Sequence, residues 1–217
     1  MTNPNSIKQN KAIFHLKRVY KSFAVNLNKI TKQAYPSWID DIQTHVTSAE
    51  KQALYRLASN LPPKSILVEI GSYHGASSAC IASAIREPHS LLYCIDTWMN
   101  DAVSEERENT LSIFRKNTYL VSSRIKEVRG YSHDVSHLIP EGIDFLFIDG
   151  DHSYKGVCRD IELYLPKLKN NAILVMHDYL HDGVMRAIHD HIVKVEKKRL
   201  EHFGNFYAAR INRDVSG

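Results

Sequence analysis

The sequence predicts an α/β protein with a three-layer, doubly wound, Rossmann-like sheet of seven mostly parallel strands and an antiparallel C-terminal edge hairpin. Three observations predict this class. Short apolar runs rich in β-branched residues alternate with longer segments of helical periodicity. Most of the runs are apolar throughout, which is typical of strands buried on both faces. Gly204-Asn205 alone separates the last two runs, and such a turn favours a hairpin.

Each predicted element follows from its own pattern of apolar and turn-forming residues. The strands are expected at 66–70, 91–95, 125–128, 145–148, 172–176, 199–203 and 206–211. Helices are expected from Thr47 or Ser48 to Pro62-Pro63, then at 76–85, 104–116, 154–168 and 183–197, with the fourth helix ended near Asn170-Asn171. Small residues dominate 76–85, so this helix can pack closely on the sheet.

Composition limits the classes of protein that remain. The 217 residues suit one hydrophobic core, and 43% hydrophobic and 24% charged residues are ordinary values for a globular protein. The sequence contains no apolar run long enough to span a membrane and no signal peptide, so we expect a soluble cytoplasmic protein. Cys80, Cys94 and Cys158 lack metal-site spacing and are expected to be reduced.

The N-terminal segment has a different charge pattern from the rest of the chain. Every charged residue before Ile39 is basic, and apolar residues recur there at helical spacing. We predict an amphipathic helical extension at 1–46, serving as a lid or in dimerisation, before a domain at 47–217. The net charge of +4 is too small to indicate a nucleic-acid partner. A membrane-surface or nucleic-acid role for this helix remains open.

Two glycines follow the first predicted strand, where open parallel sheets bind their ligands. Gly71 and Gly75 allow a tight turn and a close backbone approach at a helix N-terminus. Tyr73 stands where the dinucleotide fingerprint needs its middle glycine, which disfavours NAD. Asp96 ends the second strand, where a carboxylate can bind ribose, and Trp98 can stack on adenine. A helix-capping aspartate and a packed tryptophan are the structural alternatives.

Two sequence blocks resemble a known family. They are Val68-Glu69-Ile70-Gly71-Ser72-Tyr73-His74-Gly75 and Phe145 to Val157, which reads FLFIDGDHSYKGV. The likeness extends to Ile173-Leu174-Val175-Met176-His177-Asp178-Tyr179 and covers roughly 47–211. These residues resemble family 24 of the class I methyltransferases, enzymes that use S-adenosylmethionine.

The resemblance implies a set of residues for S-adenosylmethionine. Glu69 would orient the loop at Gly71, and Ser77 or Ser78 would lie near the methionine carboxylate. Asp96 would bind ribose, and Trp98 with the Gly130-Tyr131-Ser132 loop would flank adenine. The predicted cofactor-binding set is therefore Glu69, Gly71, Ser72, Tyr73, Gly75, Ser77, Ser78, Asp96, Thr97, Trp98, Ser132 and Asp149.

Polar residues after two neighbouring strands suggest a metal site. Asp149, His177 and Asp178 could converge on one divalent ion, as in the metal-dependent O-methyltransferases of the catechol type that this chain resembles. His177 departs from their oxygen ligands; magnesium, which prefers oxygen, suits an imidazole less well, so the departure leaves room for manganese, iron, zinc or no metal. His152 stands where those enzymes have a lysine base and is predicted to be the general base. Contact with a backbone carbonyl or with the cofactor is its alternative role, and His181 is the reserve base.

The predicted function is methyl transfer from S-adenosylmethionine to a hydroxyl of a small molecule, such as a sugar or secondary metabolite, with possible metal assistance. A nucleic-acid or protein methyltransferase is the alternative enzyme, and it draws only on the basic N-terminal helix. A non-catalytic S-adenosylmethionine-binding partner protein is the alternative from another class. A homo-oligomer through the N-terminal helix is also expected.

Overall fold

The computed structural model describes residues 35–86, 89–99 and 109–212. Seven strands form one sheet. They are β1 (Ile66–Ile70), β2 (Leu91–Asp96), β3 (Ile125–Arg129), β4 (Ile143–Ile148), β5 (Leu168–Met176), β6 (Glu196–Phe203) and β7 (Phe206–Ile211). Their order is β3-β2-β1-β4-β5-β7-β6, with the first five parallel to one another and β7 antiparallel to both of its neighbours. The predicted fold class is confirmed.

The helices lie between the strands, as a doubly wound sheet requires. They are α1 (Ser48–Ser59), α2 (Ala76–Ala84), α3 (Leu111–Thr118), α4 (Ser132–Val135), α5 (Tyr154–Tyr164) and α6 (Asp182–Ala187). A short 3-10 helix at Ser37–Asp41 precedes them. A π-helical turn at Ile188–Ile192 and a 3-10 turn at Val193–Val195 continue α6.

Helix α1 begins at a complete capping box. The Thr47 side chain accepts a hydrogen bond from the Glu50 backbone N–H, and the Glu50 carboxylate accepts one from the Thr47 backbone N–H at 2.7 Å. Both groups would otherwise be unpaired donors at the helix N-terminus. The cap therefore fixes Glu50 at the start of the helix.

The sheet has a hydrophobic core on each face because alternate strand residues point to opposite sides. One core packs α1, α2 and α3 against residues such as Leu67, Phe145 and Val175. The other packs α5 and α6 against residues such as Val68 and Leu146. Nearly every residue of β1 and β4 is buried, which explains their unbroken apolar sequences.

Several predicted boundaries differ from the structure. Asn170 and Asn171 do not end a helix; they lie inside β5, which begins at Leu168, because Pro166 ends the helical segment with a 3-10 turn. Helix α3 begins at Leu111, after Asn109 and Thr110, and residues 100–108 of the predicted helix lie outside the described residues. The predicted helix at 183–197 gives way to β6 at Glu196.

The other expectations about the chain have mixed outcomes. Cys80, Cys94 and Cys158 are free and buried, as predicted. Within the ranges that the structure describes, no helix is long and apolar enough to cross a membrane. The predicted N-terminal amphipathic helix lies outside the described residues. Residues 35–46, at the end of that predicted extension, pack Tyr35, Ile39 and Ile42 into the first core.

Candidate functional site at the carboxyl edge of the sheet

The turn after β1 is built for close backbone approach. Gly71 has φ +87°, and a Cβ atom placed on it would lie 2.6 Å from the carbonyl carbon of Asp149 and closer still to its oxygen. Only glycine tolerates both the left-handed backbone and this contact. Gly71 therefore brings the ends of β1 and β4 together, which places Asp149 beside the turn.

Glu69 stabilises this turn from beneath. Its side chain is fully buried, and one carboxylate oxygen accepts hydrogen bonds from Ser72 at 2.9 Å and from Ser78. Burial raises the pKa of Glu69, and the serine hydroxyls partly oppose this shift. Ser78 is likewise buried, and its hydroxyl donates to Glu69 instead of facing a cavity, whereas Ser77 lines a cavity.

Asp96 connects the ends of β1 and β2. One carboxylate oxygen accepts the Tyr73 backbone N–H at 2.7 Å, and the other accepts the Trp98 backbone N–H at 2.6 Å. These contacts hold Tyr73 and Trp98 at positive φ values of 43° and 49°. An ionised carboxylate has further lone pairs, so Asp96 can still accept hydrogen bonds from a ligand.

The structure does not bring Trp98 to the cavities that face this edge. Its side chain is fully buried, and its ring centroid lies 4.9 Å from that of Phe114. Trp98 is therefore a packed core residue, which is the structural alternative to stacking on adenine. Thr97, Tyr131 and Ser132 do line a cavity, and Tyr131, which is half exposed, is the aromatic side chain of that set.

Two cavities of about 610 Å³ each lie along the carboxyl edge. The first is lined by the loop from Gly71 to Ser77, by residues after β4 and β5, and by Gln43 to Val46. The second is lined by residues after β2 and β3 and by the start and middle of α5. Both cavities share Gly71, Asp96, Gly150 and His152. A ligand that spans both would pass over Asp96 and reach His152.

Four polar side chains converge after β4 and β5. His152 Nε2 lies 3.1 Å from an Asp178 oxygen and 3.7 Å from an Asp149 oxygen. His177 Nδ1 lies 3.2 Å from Asp149 and 3.4 Å from Asp178. Asp149, His152 and Asp178 can each offer one ligand atom within 4.8 Å of the others. The predicted carboxylate pair thus comes together, with His152 as the third member of this group and His177 buried behind the pair.

The charges of this cluster shift the pKa values of its members. Burial lowers the pKa of His177, but its three carboxylate neighbours outweigh burial and raise it to about 12. The His177 contact lowers the pKa of Asp178, and Asp149 raises that of His152. Among the described residues, His152 Nε2 and both nitrogens of His177 have no well-aligned hydrogen bond. Together with Glu50, which faces the other side of His177, three carboxylates surround these two imidazoles.

The sequence assigned no role at this site to three of its residues, although the family resemblance includes Asp160. Glu50 lies 3.3 Å from His177 Nε2, although 127 positions separate them along the chain. Asn205, in the turn between β6 and β7, donates a hydrogen bond to Asp178 at 3.2 Å. Asp160 is buried in the wall of the second cavity and accepts a hydrogen bond from Ser132. Such long-range contacts depend on how the elements pack, which no local pattern encodes.

The fold and site define a class: three-layer α/β proteins that bind a ligand where the strand order reverses, between β1 and β4. Within this class, residues 68–179 match the family model described as "Methyltransferase domain" (methyltransferase family 24). The match covers more than half of the chain, so the protein belongs to this methyltransferase family.

Other proteins are similar to this chain in sequence or in structure. A protein of Acanthamoeba polyphaga mimivirus, named Uncharacterized protein R132, is 31% identical over 120 residues, which are 52% of this chain and 50% of that protein. The chain thus spans half the length of this relative. The SAH-bound Podospora anserina methyltransferase PaMTH1 has a TM-score of 0.65 at 15% identity, covering 90% of this chain and 96% of that one.

A second solved structure, an O-methyltransferase from Bacillus cereus in complex with SAH, has a TM-score of 0.64 at 16% identity. The match covers 90% of this chain and 97% of that one. At these identities both structures establish the shared fold.

Proposed function

We propose that this protein transfers a methyl group from S-adenosylmethionine to a hydroxyl of a small molecule, such as a sugar or secondary metabolite. The observation that carries the proposal is the meeting of the two cavities at Asp96 and His152. A cofactor laid across both would present its methyl group beside the Asp149, His152 and Asp178 cluster. Family membership and the SAH bound in both structural neighbours support the choice of cofactor.

The cofactor's two ends find different surroundings. The second cavity suits adenosine: the Tyr131 ring, which stacks on His133 with centroids 5.5 Å apart, forms part of its wall beside the adenine, and Asp96 would face the ribose hydroxyls. The first cavity suits the methionine end, because the Gly71 turn and the N-terminus of α2 offer backbone N–H groups to its carboxylate. Ser77 lines this end.

His152 is the proposed base. Bound S-adenosylmethionine would supply an electrophilic methyl group to the acceptor oxygen and would leave as the neutral thioether S-adenosylhomocysteine. The hydroxyl proton passes to His152 Nε2, and the carboxylates of Asp149 and Asp178 stabilise the resulting imidazolium. Holding both reactants in line at this edge supplies the rate enhancement of proximity.

A divalent metal fits the same cluster. Asp149 and Asp178 would hold it, and His152 Nε2 lies close enough to complete the ligand set. Two carboxylates suit Mg²⁺, whereas an imidazole in the set favours Mn²⁺. A bound cation would lower the pKa of an acceptor hydroxyl. His152 Nε2 cannot accept a proton while its lone pair binds a metal. Measuring metal binding by a His152 variant therefore distinguishes the role of general base from that of metal ligand.

Calorimetric titration tests the proposal. The protein is titrated with S-adenosylmethionine and S-adenosylhomocysteine in the presence of EDTA, Mg²⁺ or Mn²⁺. We expect micromolar binding that Asp96→Asn weakens at least 10-fold, because the amide has fewer acceptor sites for ribose. The matched control, Asp182→Asn, changes an exposed aspartate outside both cavities and should bind like the wild type. No binding to the wild-type protein under any condition refutes the proposal.

The acceptor is then identified by transfer of a labelled methyl group to panels of hydroxylated sugars and phenols, with RNA and protein as comparison acceptors. Label on small molecules alone supports the proposed acceptor class. Label on RNA or protein would move the protein to the macromolecular class. Cofactor binding without transfer to any acceptor would favour the non-catalytic partner protein.

A further inference from the structure

Glu50 joins the cap of α1 to the candidate metal site. Its side chain is buried, with 4% of the residue exposed. One carboxylate oxygen accepts hydrogen bonds from the Thr47 backbone at 2.7 Å and the Thr47 hydroxyl at 2.8 Å, and it lies 3.3 Å from His177 Nε2. Glu50 lies outside residues 68–179, so the matched domain does not contain it.

His177 occupies the space between Glu50 and the carboxylate pair. Its Nε2 side faces Glu50, and its Nδ1 side faces Asp149 and Asp178 at 3.2 and 3.4 Å. The side chain is 3% exposed. A buried carboxylate 3.3 Å from Nε2 restricts rotation of the ring by charge and by close packing, which also restricts where Nδ1 can lie.

From this arrangement we propose that Glu50 is a positioning residue of the metal site. It holds the His177 ring so that Nδ1 keeps Asp149 and Asp178 at the spacing that binds a divalent cation. The inference rests on the metal-assisted form of the proposed function. It assigns part of the site to a helix that precedes the matched domain.

The capping box provides a clean substitution. Glu50→Gln keeps an N3 residue that suits a capping box, so α1 retains its N-terminal cap, but the charge beside His177 is lost. Thr47→Ala is the matched control: it removes the capping side chain and one hydrogen bond to Glu50, but the Thr47 backbone N–H still donates to the carboxylate at 2.7 Å and the charge beside His177 is kept. The two variants therefore separate the helix cap from the contact with His177.

The test measures Mn²⁺ affinity of the full chain by calorimetry, without cofactor, for the wild type and both variants. We expect Glu50→Gln to weaken Mn²⁺ binding 10- to 100-fold, the usual effect of losing an outer partner of a metal site. Thr47→Ala should lower the melting temperature and leave Mn²⁺ affinity within about 2-fold of wild type, since it spares the contact with His177.

A second readout follows the His177 ring itself. Nitrogen-15 spectra of the imidazole should change in Glu50→Gln and remain as in the wild type in Thr47→Ala. Unchanged Mn²⁺ affinity in Glu50→Gln, or equal weakening in both variants, overturns the inference and leaves the proposed function intact. A wild-type protein that binds no Mn²⁺ overturns it together with the metal-assisted form, while the cofactor titration decides methyl transfer separately.

Discussion

Replacing Gly71 by alanine should damage both the fold and the cofactor site. The new Cβ would lie 2.6 Å from the Asp149 carbonyl carbon, so the two strand ends would have to separate by roughly 1 Å to reach an ordinary contact of about 3.5 Å. The backbone at φ +87° adds about 1–2 kcal/mol of strain for a residue with a Cβ.

The expected size of the effect follows from these two contributions. Overpacking against fixed backbone costs about 1–3 kcal/mol, so the total loss is roughly 2–5 kcal/mol. For a protein of this size the melting temperature should fall by roughly 5–15 °C. The displaced Asp149 should also lose its place in the site, so we expect no measurable S-adenosylmethionine binding.

Circular dichroism melting and calorimetric titration check this prediction, with Gly204→Ala as the control. Gly204 also has a positive φ of 54°, but a Cβ on it would meet no atom within 4 Å. Only the backbone strain then remains, so the melting temperature should fall by roughly 2–8 °C and cofactor binding should persist. If Gly71→Ala melts and binds cofactor like Gly204→Ala, the contact between Gly71 and Asp149 does not govern the site.

Three other substitutions test separate parts of the structure. Ser78→Ala should cost about 1–3 kcal/mol in urea denaturation because it removes a donor to the buried Glu69, yet leave cofactor affinity unchanged; a large loss of affinity would place Ser78 in contact with the cofactor. His152→Gln should abolish methyl transfer but keep Mn²⁺ affinity if the histidine is the base, and losing Mn²⁺ binding would make it a ligand. Burial raises the pKa of Asp160 to about 6, so its ionisation destabilises the fold as pH rises from about 4 to 6. The unfolding free energy of Asp160→Asn minus that of wild type should therefore increase by up to about 3 kcal/mol between about pH 4 and 6 and remain constant above pH 6. A difference that does not change with pH would contradict the buried charge.

The sequence predicted the framework because each strand carries its own local signal. Ile66–Ile70 and Phe206–Ile211 begin and end as predicted, since apolar β-branched runs stop at glycine or polar residues. The prediction that the asparagine pair at 170–171 ends a helix was wrong, because asparagine also tolerates positive φ within a strand and Asn171 has φ 71°. At that point Pro166, and not the asparagines, ended the helix.

Site residues were predictable where strand ends alone determine them. Gly71, Asp96 and Asp149 follow parallel strands, and such positions meet at one edge of the sheet. The position of the Trp98 ring depends on its contact with Phe114 of α3, which helps to bury it. The link from Glu50 to His177 depends on how α1 packs, so sequence spacing gives no signal for it.

The segments on either side of residues 68–179 complete the walls of the first cavity. The matched domain supplies the Gly71 turn, Asp96 and the carboxylate pair, which are the parts of the proposed cofactor and cation sites. The remaining walls of the first cavity, Gln43 to Val46 and Asn205, come from the flanks. Asn205 also bonds to Asp178, and β7 covers the edge of β5. Acceptor choice should therefore depend on the flanks. Exchanging residues 43–46 should change which hydroxylated compound receives the labelled methyl group and should affect S-adenosylmethionine affinity less, because the Gly71 turn and Asp96 remain.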